Sequence, residues 1–142
     1  MNVLSRDKQI SVLAALCDGL GVRAAARITG VNRGSVAALA LKIGRGCSQL
    51  HDGKMVGVRT SRIECDELWS YIGRRQARVQ RRDPDRDVAG DADTYVALSS
   101  STRAIVAYHT GKRTSDNTDQ FIQDLRGRVI GAPEISTDGL HS

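Results

Sequence analysis

The chain has 142 residues, 40% apolar and 26% charged, which places it among globular sequences and away from wholesale disorder. Aromatic residues make up 4%, so any core is mainly aliphatic, and no apolar run approaches the ~20 residues of a membrane helix. The net charge of +5 is unevenly spread: residues 1–64 hold ten Lys/Arg against four Asp/Glu, residues 65–142 eleven against twelve. A basic front half points to a polyanion partner, with solubility alone as the alternative.

Three helices are expected first. Ser5 is a candidate N-cap, and Ile10, Leu13, Leu16, Cys17 and Leu20 fall at helical spacing behind it. Gly19 and Gly21 break that pattern. A short alanine-rich helix runs from Val22 to Thr29 and stops at Gly30. Asn32 caps a third helix, from about Arg33 to Ile43, which Gly44 and Gly46 end. Four glycines among polar residues over 44–60 predict a linker or loose connection, taken as 46–60.

The pattern then changes to strands. Ile63, Cys65, Trp69 and Tyr71 alternate with Glu64, Asp66, Leu68 and Ser70. Residues 74–93 are polar, with six arginines and five aspartates. They are either a solvated loop or a basic loop that tracks a nucleic-acid backbone. Thr94 to Leu98 and Ala104 to His109 form a hairpin around Ser99-Ser100-Ser101-Thr102. A helix follows, capped by Ser115, with Phe121, Ile122, Leu125 and Val129 as its apolar stripe and Gly131 and Pro133 ending it. Ile135 to Asp138 is a last strand. A right-handed crossover through that helix makes the fourth strand parallel to the first.

Gly30 fits the turn of a helix-turn-helix. Ala26 supplies the small residue where two helices approach, and Val36 fills the space between them, with Ile28, Val31 and Leu39 completing the packing. Arg33, Gly34 and Ser35 would open a recognition helix that also carries Lys42, while Arg23 and Arg27 reach phosphates. A helical hairpin that binds nothing is the bland alternative.

Asp66 lies mid-strand and Asp138 at the end of the last strand. Side by side they would repel unless a divalent cation sat between them, and hard oxygen ligands suit Mg²⁺ or Mn²⁺. Ions held by carboxylates can activate a nucleophile and steady a leaving oxygen in phosphodiester chemistry. Alternatively, Asp138-Gly139 is a turn and Asp66 bonds a backbone group.

Asp66-Glu67-Leu68-Trp69-Ser70-Tyr71-Ile72-Gly73 resembles the D-E-x-W-x-Y-(I/V)-G segment of transposases of the insertion-sequence-one family. Thr137-Asp138-Gly139 resembles that family's T-D-G motif, and Gly111-Lys112-Arg113-Thr114 its G-(K/E)-R-T stretch. The resemblance implies an α+β chain: a helix-turn-helix DNA-binding domain at 1–45, the linker 46–60, and at 61–142 a ribonuclease-H-like β-β-β-α-β domain. It implies a DDE transposase in which Asp66 and Asp138 are catalytic and hold Mg²⁺ or Mn²⁺. The partners implied are transposon-end and target DNA, with self-association into a homo-oligomer open.

The family's third carboxylate lies on a helix well downstream of the second aspartate. This sequence ends four residues after Asp138, and Glu67 and Glu134 are too close to the pair to replace it. A truncated, incomplete catalytic domain is therefore expected. A non-catalytic helix-turn-helix protein that represses transposition is the alternative.

Other residues carry less. Cys47 and His51 are spaced for one face of a metal site but read better as a free thiol and a surface histidine. Cys17 and Cys65 read as small core residues, and Trp69 as core rather than a base-stacking residue. His109 and His141 have no nucleophile partner. Three cysteines form no even framework and no C-x-x-C pair, and the start has no secretory pattern, so a cytoplasmic protein without a membrane partner is expected.

Overall fold

The computed structural model describes residues 3–138. It is an α+β chain of four helices and one four-stranded mixed sheet, divided into two compact units, Met1–Lys54 and Met55–Ser142. No helix among the described residues is long and apolar enough to cross a membrane.

The first unit holds α1 (Arg6–Cys17), α2 (Val22–Thr29) and α3 (Arg33–Lys54). Ser5 caps α1, its hydroxyl accepting from the Lys8 amide. The buried face of α1 is Val12 and Ala15, with Leu16 and Leu20 packed beside them. Ile10 and Cys17, expected inside, are exposed. Apolar residues lie nearly all round this helix, so spacing alone selected the wrong stripe.

Helix α2 has the expected bounds and ends on Gly30 at φ +68°, a left-handed conformation. Lys8 reaches across from α1 and donates to the Thr29 carbonyl at 2.6 Å. A cation there satisfies a helix-end carbonyl and sits at the negative end of the helix dipole. Ala25, Val31, Val36 and Leu39 are buried with Val12 and Ala15, and Ala26 packs at their edge. Ile28, expected in this core, is exposed, and Thr29 is buried instead with its hydroxyl bonded to the Ala25 carbonyl.

Helix α3 begins where Asn32 predicts, the Asn32 side chain accepting from the Gly34 amide at 2.8 Å. It does not stop at Gly44. It continues to Lys54, so the first nine residues of the expected linker are helical. An exposed helical glycine costs ~1 kcal/mol relative to alanine, which weakens a helix without ending it, and no proline intervenes. The rest of that segment is pinned rather than loose. The Val58 amide donates to the Arg128 carbonyl at 2.8 Å, and the Ile130 amide donates back to Val58 at 3.0 Å.

The second unit contains β1 (Arg62–Ile72), β2 (Gly90–Ser99), β3 (Ile105–Gly111), α4 (Ser115–Arg128) and β4 (Glu134–Thr137). The sheet order is β3-β2-β1-β4. The first three strands form an antiparallel meander, and β4 runs parallel to β1, as the crossover predicts. Strand β2 starts four residues before the expected Thr94, because Ile72 to Trp69 pair with Gly90 to Asp93. Thr114, not Ser115, caps α4, its hydroxyl accepting from the Asn117 amide.

Helix α4 lies on one face of the sheet. Phe121 and Leu125 pack there on Ile63, Cys65, Tyr95, Ala97, Val106 and Ala107. The rings of Phe121 and Tyr95 stack at 5.7 Å between centroids. Ile122, expected in the stripe, is 40% exposed. Burial pushes the Cys65 thiol pKa up, as suits an unreactive core residue. Trp69 is 54% exposed, against the expectation of a core position. The eleven residues of β1 extend ~36 Å, whereas the fourteen of α4 cover ~21 Å. The helix sits over Ile63 and Cys65 and leaves the far half of the strand bare.

Candidate functional site

The pairing of β4 with β1 builds the candidate site. Cys65 lies opposite Thr137, and Glu64 opposite Ser136. One step further along β1 is Asp66, and Asp138 follows directly after the end of β4, which stops at Thr137 rather than at the expected Asp138. Residues 64 and 66 face away from α4, because the alternate residues Ile63 and Cys65 are buried beneath it. Asp66 and Asp138 consequently line one concavity, with Glu64, Leu68, Val96, Leu98, Ile105, Ser136 and Thr137. Both aspartates are exposed. Two carboxylates 72 positions apart in sequence are thus brought together by the parallel crossover.

Three neighbouring acids have partners of their own. Glu67 points to the opposite face, where its carboxylate is 3.3 Å from the Arg113 guanidinium. Glu134 pairs with Arg62 at 2.9 Å and lies four residues, or ~13 Å, from Asp138 along β4. Glu64 shares the concavity, but its carboxylate accepts from the Ser100 hydroxyl at 2.9 Å. Asp66 itself accepts from the Glu67 amide at 2.8 Å, which leaves its other oxygen for a ligand. Among the described residues no three His, Cys, Asp or Glu side chains are grouped to hold a metal ion. Mg²⁺ is commonly held by one or two carboxylates plus substrate phosphate and water, and the Asp66–Asp138 pair fits that donor set. Gly139 and His141 lie outside the described residues.

The stretch Gly111 to Thr114 is explained locally. A Cβ on Gly111 would fall 2.7 Å from the Asn117 amide, so this position admits only glycine without rearrangement. Asn117 in turn holds His109 at 2.9 Å and the Lys112 carbonyl at 2.8 Å. Lys112 donates to the Ala89 carbonyl at 2.7 Å and closes the segment 73–89 against β3. Arg113 pairs with Glu67, and Thr114 caps α4.

The segment 73–89 is a built loop. Arg74 grips Asp85 with both terminal nitrogens, at 2.9 and 2.6 Å, and Asp83 at 2.7 Å. The Gln80 amide also donates to Asp83. That amide and then Arg74 hold the Asp83 carboxyl below its usual pKa, while Arg74 does the same for Asp85. Sequence reading gave this loop no internal order, since the clamp joins residues nine and eleven apart through side chains alone.

In the first unit every residue expected to meet DNA is exposed: Arg23 and Arg27 on α2, and Arg33, Gly34, Ser35 and Lys42 on α3. Arg23 and Arg27 are one turn apart on a single helix face, and Ser35 and Lys42 are two turns apart on another. Cys47 is exposed, and His51 lies one turn further along α3.

No protein-family model matches the chain, and a search of curated proteins returns no match either.

Proposed function

We propose that this chain is a DNA transposase of the insertion-sequence-one type, with the front unit a helix-turn-helix and the rear unit a ribonuclease-H-like fold. One observation carries the reading: Asp66 and Asp138, the two aspartates of the resembled motifs, share one concavity through adjacent parallel strands. Asp66 and Asp138 would together hold Mg²⁺ or Mn²⁺, which when bound supplies charge neutralisation at a phosphodiester and a more acidic water. The third carboxylate of the mechanism is supplied by neither Glu67, which faces the other side, nor Glu134, which is tied to Arg62. In the front unit, Gly30 sets the turn, Arg33, Gly34 and Ser35 present the start of α3 to base edges, and Arg23, Arg27 and Lys42 draw phosphates.

The test is DNA binding by the full chain, measured by anisotropy of a labelled duplex over a salt series. Several Lys/Arg–phosphate contacts release counterions, so affinity should fall steeply as salt rises. Arg23→Ala should weaken binding to all duplexes alike, whereas Arg33→Ala or Ser35→Ala should change the preference among them. Absence of binding at low salt would refute the proposal. The ion pairs of Glu67 and Glu134 favour a second reading, a DNA-binding protein that represses transposition without cutting. DNA binding with no metal affinity at Asp66 and Asp138 would select it.

A further inference from the structure

The far half of β1 carries a second feature, on the sheet face opposite Asp66. Trp69 and Tyr71 stand side by side with ring centroids 6.0 Å apart, and they are 54% and 50% exposed. Among the described residues β4 pairs with residues 62–65 of β1. The Arg75 guanidinium lies 5.5 Å from the centre of the Trp69 ring, at cation–π distance. Large exposed aromatics cost solvation that a monomer's surface ordinarily avoids in clusters.

The charges around the pair are mixed, and Asp91 lies opposite Tyr71 in the register. Within the adjoining loop, Arg74 pairs with both Asp83 and Asp85, and Arg86 lies 3.5 Å from Asp87. Glu67 is met by Arg113, and Asp91 accepts from the Gln76 amide. Asp93 lies opposite Trp69 in the register but is 9% exposed. Among the described residues Arg75, Arg78 and Arg81 have no carboxylate partner, and Arg82 bonds only the Gln80 side chain. Of these arginines Arg75 is placed against the aromatic pair, over the Trp69 ring.

We propose that Trp69, Tyr71 and Arg75 form a stacking site for unpaired bases of single-stranded DNA, which the net positive charge of the segment 73–89 attracts. Bases present a π-face whatever their identity, so such a site tolerates sequence and depends on salt. A duplex keeps its bases stacked on each other and offers this pair nothing. The site lies on the other face from Asp66 and Asp138 and holds a strand rather than reacting with it. The inference rests on reading the chain as a DNA-handling protein.

Trp69 is the sole tryptophan, so its emission reports the site directly. The full chain is titrated with a thymidine oligonucleotide and, separately, with a labelled duplex read by anisotropy. The single strand should quench Trp69 saturably, and less so as salt rises. Tyr71→Ala and Arg75→Ala should each weaken that binding about tenfold, and Tyr71→Phe, which keeps the ring, should not. Both alanine variants should bind the duplex as before. Unchanged emission at saturating single strand, or Tyr71→Ala binding it as tightly as the native chain, overturns the site. If the duplex still binds, the DNA-binding reading survives that loss. If neither DNA binds, both fall together.

Discussion

Replacing Gly30 tests the turn that sets α2 against α3. The residue has φ +68°, where an L-residue costs roughly 1–2 kcal/mol. A Cβ there would meet only Lys8 Nζ, at 4.0 Å, an ordinary contact, so the cost is conformational rather than steric. Gly→Ala also stiffens the unfolded chain, which returns about 0.4–1 kcal/mol. Gly30→Ala should therefore destabilise the first unit by about 1 kcal/mol, or roughly 4–8 °C in melting temperature for a unit of this size. Gly30→Val should cost more, since a β-branched residue is poorly accommodated there, and Gly30→Asn less. Far-UV circular dichroism follows the unit, because α1, α2 and α3 hold most of the helical residues. Stability should rank Gly, Asn, Ala, Val. A valine variant as stable as the native chain would refute the turn geometry.

Phe121→Ala should cost the second unit about 3–5 kcal/mol, as a buried ring stacked on Tyr95 is lost; denaturant melts read by Trp69 emission measure it. The Arg74 clamp should fail in acid. Asp83 and Asp85 have lowered pKa values when folded, so their contribution is present above the ordinary carboxylate range near ~3.9 and is lost as pH falls through the lower folded values. Amide spectra of residues 73–89 should stay native at pH 5 and broaden only as the pH falls below the ordinary carboxylate range. Arg74→Ala should show the broadened loop already at neutral pH. The chain of 142 residues should not nick DNA in Mg²⁺ or Mn²⁺, and nicking abolished by Asp66→Asn would contradict the need for a third carboxylate.

Elements with punctuation at both ends were legible in the sequence. Helix α2 is bounded by Gly21 and Gly30, and β4 follows Pro133, at Glu134–Thr137 rather than the expected 135–138. The parallel placement of β4 beside β1 followed from the crossover rule, and with it the meeting of Asp66 and Asp138. What was not legible depended on reach and on side chains distant in sequence. Trp69 was expected inside because its alternation matches Ile63 and Cys65, yet α4 is too short to cover it. The glycines at 44, 46 and 53 read as a break, although each merely weakens an exposed helix turn. Ile10 and Cys17 went to the wrong face because α1 is apolar on nearly every side. The Arg74 clamp, the Lys8 bond to Thr29 and the Glu67–Arg113 pair have no local signature at all.

Asp66 and Asp138 are proposed above to act as one carboxylate pair for a divalent cation. Calorimetric titration of the full chain with Mn²⁺ measures it most directly, beside Asp66→Asn and Asp138→Asn. Weak saturable binding in the native chain should be lost in either variant alone, with the fold and the Trp69 emission unchanged. Mn²⁺ binding that persists undiminished in both variants, or none in the native chain, would contradict the claim.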